Sequence, residues 1–158
     1  MIKLTGVVGH PNYAPRREAF PYQFDAFEAI QKLEYAAVFH EQGLGKTKIA
    51  LDVGLSWLAQ HAVDSILIIT KKGLIKNWND EIGIHTRLKP WVLDANNKRN
   101  FVGLNSPVRI YLSHYELIRS KQSLFEIFLK TRDVAVVLDE SQKIKNPDSA
   151  LTKSFFDL

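Results

Sequence analysis

The chain is 158 residues long, about one domain on the usual scale of 100–200 residues. Apolar types make up 46% and charged types 24%, with 21 Lys+Arg against 17 Asp+Glu; this composition excludes disordered, collagen-like and coiled-coil classes. Cys is absent, so there is neither a disulfide framework nor a thiolate metal site, and a reducing compartment fits. No apolar run approaches the ~18 residues of a membrane span, and Met1-Ile2-Lys3-Leu4-Thr5-Gly6 lacks the apolar stretch of a secretory leader. The expected address is cytoplasmic, nucleoid-associated or nuclear, not secreted, with no membrane partner. The net charge of +4 is uneven: 71–110 holds eight basic residues against three acidic, and the flanking segments are near balance. Such a patch is either a solvated face or an electrostatic footprint for nucleic acid.

In chain order, Gly6, Gly9, Pro11 and Pro15 read as turns around a short strand, Lys3–Val8. Phe24–Leu33 reads as a helix on the spacing of Phe24, Phe27 and Ile30. Ala36–Phe39 is a short apolar strand, and Lys46–His61 a helix apolar on more than one side, hence buried. Ser65–Thr70 is an apolar strand without polar alternation, the pattern of a parallel sheet covered on both faces. Leu74–Ile84 reads as a helix stopped near Gly83, Pro90–Leu93 as a short strand, Ala95–Pro107 as a polar loop and Val108–Leu112 as a strand. Tyr115–Lys130 is an amphipathic helix, Val134–Leu138 a further apolar strand, and Ser149–Leu158 a last helix. Strands alternating with helices imply crossover units on a mostly parallel sheet. Ligands of such sheets sit beyond the carboxyl ends of the strands, so the residues after each strand carry the function.

After Ala36–Phe39 comes His40-Glu41-Gln42-Gly43-Leu44-Gly45-Lys46-Thr47, and then a helix. Gly43 and Gly45 let the backbone curl its N–H groups around a phosphate, and the helix start adds its positive dipole end. Lys46 supplies a cation for the outer phosphates and Thr47 a hydroxyl for Mg²⁺. The match is GxGKT, because His40 stands where the full phosphate-loop pattern has Gly. Val134–Leu138 ends in Asp139-Glu140. Adjacent carboxylates there are costly without a cationic partner, which a Mg²⁺ held by Asp139 would supply. Glu140 would orient or deprotonate the attacking water. Taken alone, this acidic pair also fits a helix cap before a turn. His10, His61 and His85 show no metal-ligand spacing, and Trp57, Trp78, Phe125 and Phe128 sit at helical spacing as core.

These residues resemble the Swi/Snf-like branch of the superfamily-two helicases. Pro21-Tyr22-Gln23 resembles the glutamine motif, Glu41–Thr47 is similar to motif I, and Ile66–Glu81, with Leu74, Trp78 and Glu81, resembles the motif Ia block. Ile110–Leu117 and Val137–Pro147 look like the "T-S-Y-E-x-L" block and motif II, and Ser149–Lys153 resembles the segment after it. The departures are Lys71 in place of the usual Pro, Phe39 and His40 in place of Ala and Asp, and Gln142 in place of His.

The resemblance implies an α/β, three-layer RecA-like phosphate-loop domain with a mostly parallel sheet over 20–158, after an extension at 1–19. It further implies that motif III and a second RecA-like lobe, which carries the arginine fingers, lie outside these residues. Gln23 would read adenine; Gly43, Leu44, Gly45, Lys46 and Thr47 would hold the phosphates; Thr47 and Asp139 would hold Mg²⁺; Lys46, Asp139 and Glu140 would be catalytic. Lys71, Lys72, Lys76, Ser113 and His114 fall at strand ends, where the family touches DNA backbone phosphates. The implied activity is that of a DNA-dependent, helicase-like ATPase with ATP and Mg²⁺ as cofactors. Its partners would be duplex DNA and a second lobe, in cis or in trans. The chain alone is expected to turn ATP over little or not at all, since an arginine finger is worth roughly 10³–10⁵ in rate. A non-catalytic DNA- or partner-binding module is the alternative. A lobe with an open sheet edge is also expected to self-associate.

Overall fold

Among the described residues four strands form one parallel sheet in the order β2-β3-β1-β4. They are β1 (Ser65–Thr70), β2 (Trp91–Val92), β3 (Ile110–His114) and β4 (Val134–Leu138). The computed structural model of the chain describes residues 13–37 and 45–140. The expected strand Lys3–Val8, residues 38 and 39 of Ala36–Phe39, and the last helix lie outside the described residues; Ala36 and Ala37 carry no strand. The helices are α1 (Pro21–Ile30), α2 (Lys46–Ala59), α3 (Ile75–His85), α4 (Asn97–Leu104), α5 (Tyr115–Ser120) and α6 (Gln122–Thr131), with a 3₁₀ turn at Lys72–Leu74. The chain divides into two compact units, Met1–Ala62 with Asp80–Leu88, and Val63–Asn79 with Lys89–Leu158.

In the first unit α1 packs on α2. Phe27, Ile49 and Val53 are its buried centre, with Phe24, Ala26, Ile30 and Trp57 against them. The Trp57 indole donates to the Gln31 carbonyl at 2.8 Å and so closes the end of α1. The helix starts at Pro21, three residues before its apolar spacing begins, because proline has a preset φ and no N–H to satisfy in a first turn. α2 is buried nearly all round, as its sequence implies, and the burial extends to a charged pair. Lys48 Nζ lies 2.6 and 2.5 Å from the two Asp52 oxygens, with both side chains almost fully covered.

In the second unit all six residues of β1 are buried, the expected consequence of a central parallel strand. Leu67, Ile69, Tyr111, Tyr115, Ile118, Phe125 and Phe128 form the main core. The segment expected to be a polar loop is instead a helix, α4, and its asparagines are what build it. The Asn96 side chain accepts from Arg99 N–H at 3.1 Å as the cap. Asn100, fully buried, accepts from Asp94 N–H and donates to Asp94 C=O, tying α4 to the end of β2. β3 runs two residues later than its apolar pattern suggests. Ser113 and His114 pair with Ile69 and Thr70, and polarity does not end a strand to which β1 still offers ladder partners. The single helix expected over Tyr115–Lys130 breaks at Lys121, where φ is −133° and ψ is 36°. There the Ser120 hydroxyl donates to the Leu117 carbonyl, a local bond that competes with helix continuation. α3 runs through Gly83 to His85, supported by a Glu81–His85 contact of 3.1 Å one turn apart.

Candidate functional site

The first unit holds the glutamine and phosphate-loop residues. Gln23 sits in the first turn of α1 and is 5% exposed; its Oε1 accepts the Phe20 N–H at 3.0 Å. Gly45 caps α2 with φ 71° and ψ 37°, left-handed backbone that glycine enters without strain. A Cβ on Gly45 would lie 2.1 Å from Gln23 Nε2, so the glutamine amide and the last glycine of the loop are in direct contact. Lys46 and Thr47 are the first two residues of α2, Lys46 exposed and Thr47 half-buried. Both stand in the first turn of the helix, at its positive dipole end. Gly43 and Leu44 lie outside the described residues.

The second unit holds the acidic pair. Asp139 follows β4 directly and extends its ladder by donating its N–H to Ile69 C=O at 2.9 Å. Its Oδ2 accepts two bonds, from Thr70 Oγ1 at 2.9 Å and Trp78 Nε1 at 2.8 Å. The Tyr115 hydroxyl donates to its carbonyl at 2.8 Å. Burial, and then the Asp139 charge, push the Tyr115 phenol up to about 12, so it remains a donor at any working pH. Sequence reasoning gave no role to Thr70 or Tyr115, and read Trp78 as core and as part of the motif Ia resemblance without a polar partner. Trp78 is indeed 4% exposed, but its polar edge faces the carboxylate. Glu140 is exposed, adopts φ 50°, and pairs with Lys71, both side chains being 40–44% exposed.

Of the residues expected on a phosphate-tracking face, Lys71, Lys72 and Lys76 lie on the segment after β1, with Lys72 and Lys76 exposed. Ser113 is not at the surface. It is fully buried, its hydroxyl has no partner among the described residues, and a side chain packed inside the sheet cannot reach a DNA phosphate. His114 is mostly covered, with Nδ1 3.1 Å from Glu116 Oε2. Three arginines are committed to the fold. Arg16 donates to Gly83 C=O, Arg109 to Asp64 C=O, and Arg132 to Ser65 Oγ, Tyr111 OH and Leu104 C=O. Among the described residues no group of three or more His, Asp or Glu side chains is arranged to hold a metal by itself, and no helix is long and apolar enough to cross a membrane.

Residues 34–158 match the family model of the SNF2-related domain. The chain belongs to the SNF2-related domain family. It is similar to a DNA repair and recombination protein RAD54-like from Danio rerio, 27% identical over 126 residues, which cover 69% of this chain and 17% of that protein. Its fold matches the Sulfolobus solfataricus SWI2/SNF2 ATPase core in complex with dsDNA at a TM-score of 0.78 and 23% identity, covering 94% of this chain and 31% of that one. The chain thus spans under a third of either relative. The parallel sheet and its helices are those of an N-terminal RecA-like lobe.

Proposed function

We propose that this SNF2-related chain is the ATP-binding first lobe of a Swi/Snf-type motor acting on duplex DNA, its hydrolytic site completed by a second RecA-like lobe. The observation that carries the reading is the junction at Gly45. A left-handed glycine opens a buried helix with Lys-Thr in its first turn, and the glutamine-motif side chain rests on that glycine. Gln23, held in the first turn of α1 beside that glycine, is assigned to the adenine edge. Lys46 and the first-turn N–H groups meet the phosphates.

The donor chemistry of each unit, taken by itself, suits a Mg²⁺ ion. The Thr47 hydroxyl and the Asp139 carboxylate are hard oxygen donors, and Mg²⁺ is ordinarily held by one or two carboxylates plus substrate phosphates rather than by an all-protein cage. When bound, the ion would neutralise charge on the transferring phosphoryl group. Glu140 accepts the proton of the attacking water. Arg16, Arg109 and Arg132 are spent on internal bonds, and under this reading the second lobe supplies the cation for the transition state. The Lys71, Lys72 and Lys76 face would track DNA phosphates without reading sequence. A relative named for DNA repair and a fold neighbour solved on duplex DNA support that partner, and with it a nuclear or nucleoid address.

The test is ATP binding and turnover by the purified chain, with and without duplex DNA, against Lys46→Ala. The expected result is Mg-dependent ATP binding that disappears in Lys46→Ala, with turnover slow or undetectable in both conditions. Binding that is absent in the wild type, or equal in Lys46→Ala, overturns the reading.

A further inference from the structure

We propose that Trp78 is a positioning residue for the carboxylate of Asp139, acting through its indole N–H. The inference rests on the reading of Asp139 as the Mg²⁺-side carboxylate and goes beyond it. Among the described residues Asp139 is held on every side but one. Its N–H is in the β-ladder, its carbonyl is held by Tyr115, and its Oδ2 takes both Thr70 and Trp78. No described residue bonds Oδ1, so the arrangement presents a single oriented oxygen. A carboxylate free to rotate about its last bond would present either oxygen, and its lone pairs would sweep the site. Two donors on one oxygen remove that freedom.

The two donors are not equivalent. The Thr70 hydroxyl can rotate and can accept as well as donate. The indole N–H only donates, is fixed in the ring plane, and does not titrate. Trp78 is also 4% exposed on α3, so the ring has little room to move.

Burial of an indole does not by itself account for the contact. The other two tryptophans of the chain manage differently. Trp57 donates to a backbone carbonyl, and Trp91 leaves its buried N–H unpaired among the described residues. Of the three, Trp78 is matched to a side-chain carboxylate, at the aspartate directly after β4. Partners of this kind, which orient a ligand without touching the ion, typically change metal affinity about 10–100-fold when removed.

The experiment measures nucleotide affinity against Mg²⁺ concentration for the wild type, Trp78→Phe, Thr70→Val and Asp139→Asn, with ATP as the probe and circular dichroism as the check on folding. Trp78→Phe keeps the ring and removes only the N–H. The expected result is a Mg²⁺ midpoint raised about 10-fold in Trp78→Phe, while ATP affinity in EDTA stays within twofold of wild type. Thr70→Val shifts the midpoint the same way, and supplies the test should Trp78→Phe fail to fold. A purely structural tryptophan would lower both affinities together or neither. A Trp78→Phe or Thr70→Val midpoint within twofold of a Mg²⁺-responsive wild type overturns the positioning role and leaves the ATP-lobe reading intact. A wild type whose ATP binding ignores Mg²⁺ overturns both.

Discussion

Gly45→Ala probes the contact that joins the glutamine motif to the phosphate loop. Two costs arise, and they are separable. An alanine at φ 71° costs about 1–2 kcal/mol in the left-handed region. Its Cβ would also meet Gln23 Nε2 at 2.1 Å. The amide is the far end of a flexible side chain, but it is 5% exposed and its oxygen is bonded to Phe20 N–H. Moving it gives up that bond, about 1 kcal/mol. Gly45→Ala should therefore cost about 2–3 kcal/mol in the wild type and about 1–2 in a Gln23→Ala background. The coupling of about 1 kcal/mol corresponds to roughly 2–4 °C in Tm for a chain of this size. Urea and thermal denaturation of the four proteins of the cycle measure it. Equal costs in both backgrounds would show that the amide and the glycine are not in contact, and the structural basis for placing Gln23 at the nucleotide would be lost.

Three further outcomes are expected. Lys48→Met leaves Asp52 buried without its partner and should destabilise by about 3–5 kcal/mol, whereas Lys48→Met with Asp52→Leu should be near neutral; denaturant midpoints decide it. Burial, with Lys48 adding to it, holds the His85 pKa below its ordinary value against the pull of Glu81 and Asp52. The unfolded chain therefore takes up a proton the folded one refuses, and stability falls as pH drops through about 6.5. Asp52, raised by burial, acts in the opposite sense, so the difference in Tm against pH between wild type and His85→Gln isolates the histidine; parallel curves would refute the assignment. Lys71→Gln breaks only a half-exposed pair, so stability should change by less than about 1 kcal/mol. The slope of log affinity for duplex DNA against log salt should flatten by about one, and an unchanged slope removes Lys71 from the DNA face.

The parts of the fold legible in the sequence were those set by local pattern. β1 and β4 are continuous apolar runs and lie where their pattern put them; α2, apolar on more than one side, starts where expected and ends two residues early, at Ala59. α4 was not legible because its four asparagines were read as loop composition. Two of them act instead as a cap and as a buried bridge to Asp94, and those partners are set by the fold. The shift of β3 has a similar origin: pairing with β1 keeps Ser113 and His114 in register whatever their polarity. Asp139 itself was marked by its place after an apolar strand, but the residues that hold it were not. Thr70 and Trp78 lie 69 and 61 positions away in sequence, and nothing about a threonine at a strand end or a tryptophan at helical spacing names a carboxylate as its partner. Ser113, by contrast, was placed at a DNA face from its position after a strand, and the ladder that extends β3 is what buries it.

The two adjacent carboxylates are made different by what surrounds them. Burying part of a carboxylate is tolerated when it is hydrogen-bonded or ion-paired. Asp139 is stabilised by neutral donors, a hydroxyl and an indole, which satisfy lone pairs without cancelling charge. Glu140 is paired to a half-exposed lysine, which opposes its charge. A cation arriving at this strand end therefore meets a carboxylate held by neutral donors at Asp139 and one already facing a cation at Glu140. That asymmetry supports Asp139 for the ion and Glu140 for the water under the proposed reading. It also gives the Lys71 departure from the family's usual proline a physical consequence. A proline there would leave Glu140 without that counter-charge, whereas this chain places its compensating cation on the same segment as Lys72 and Lys76.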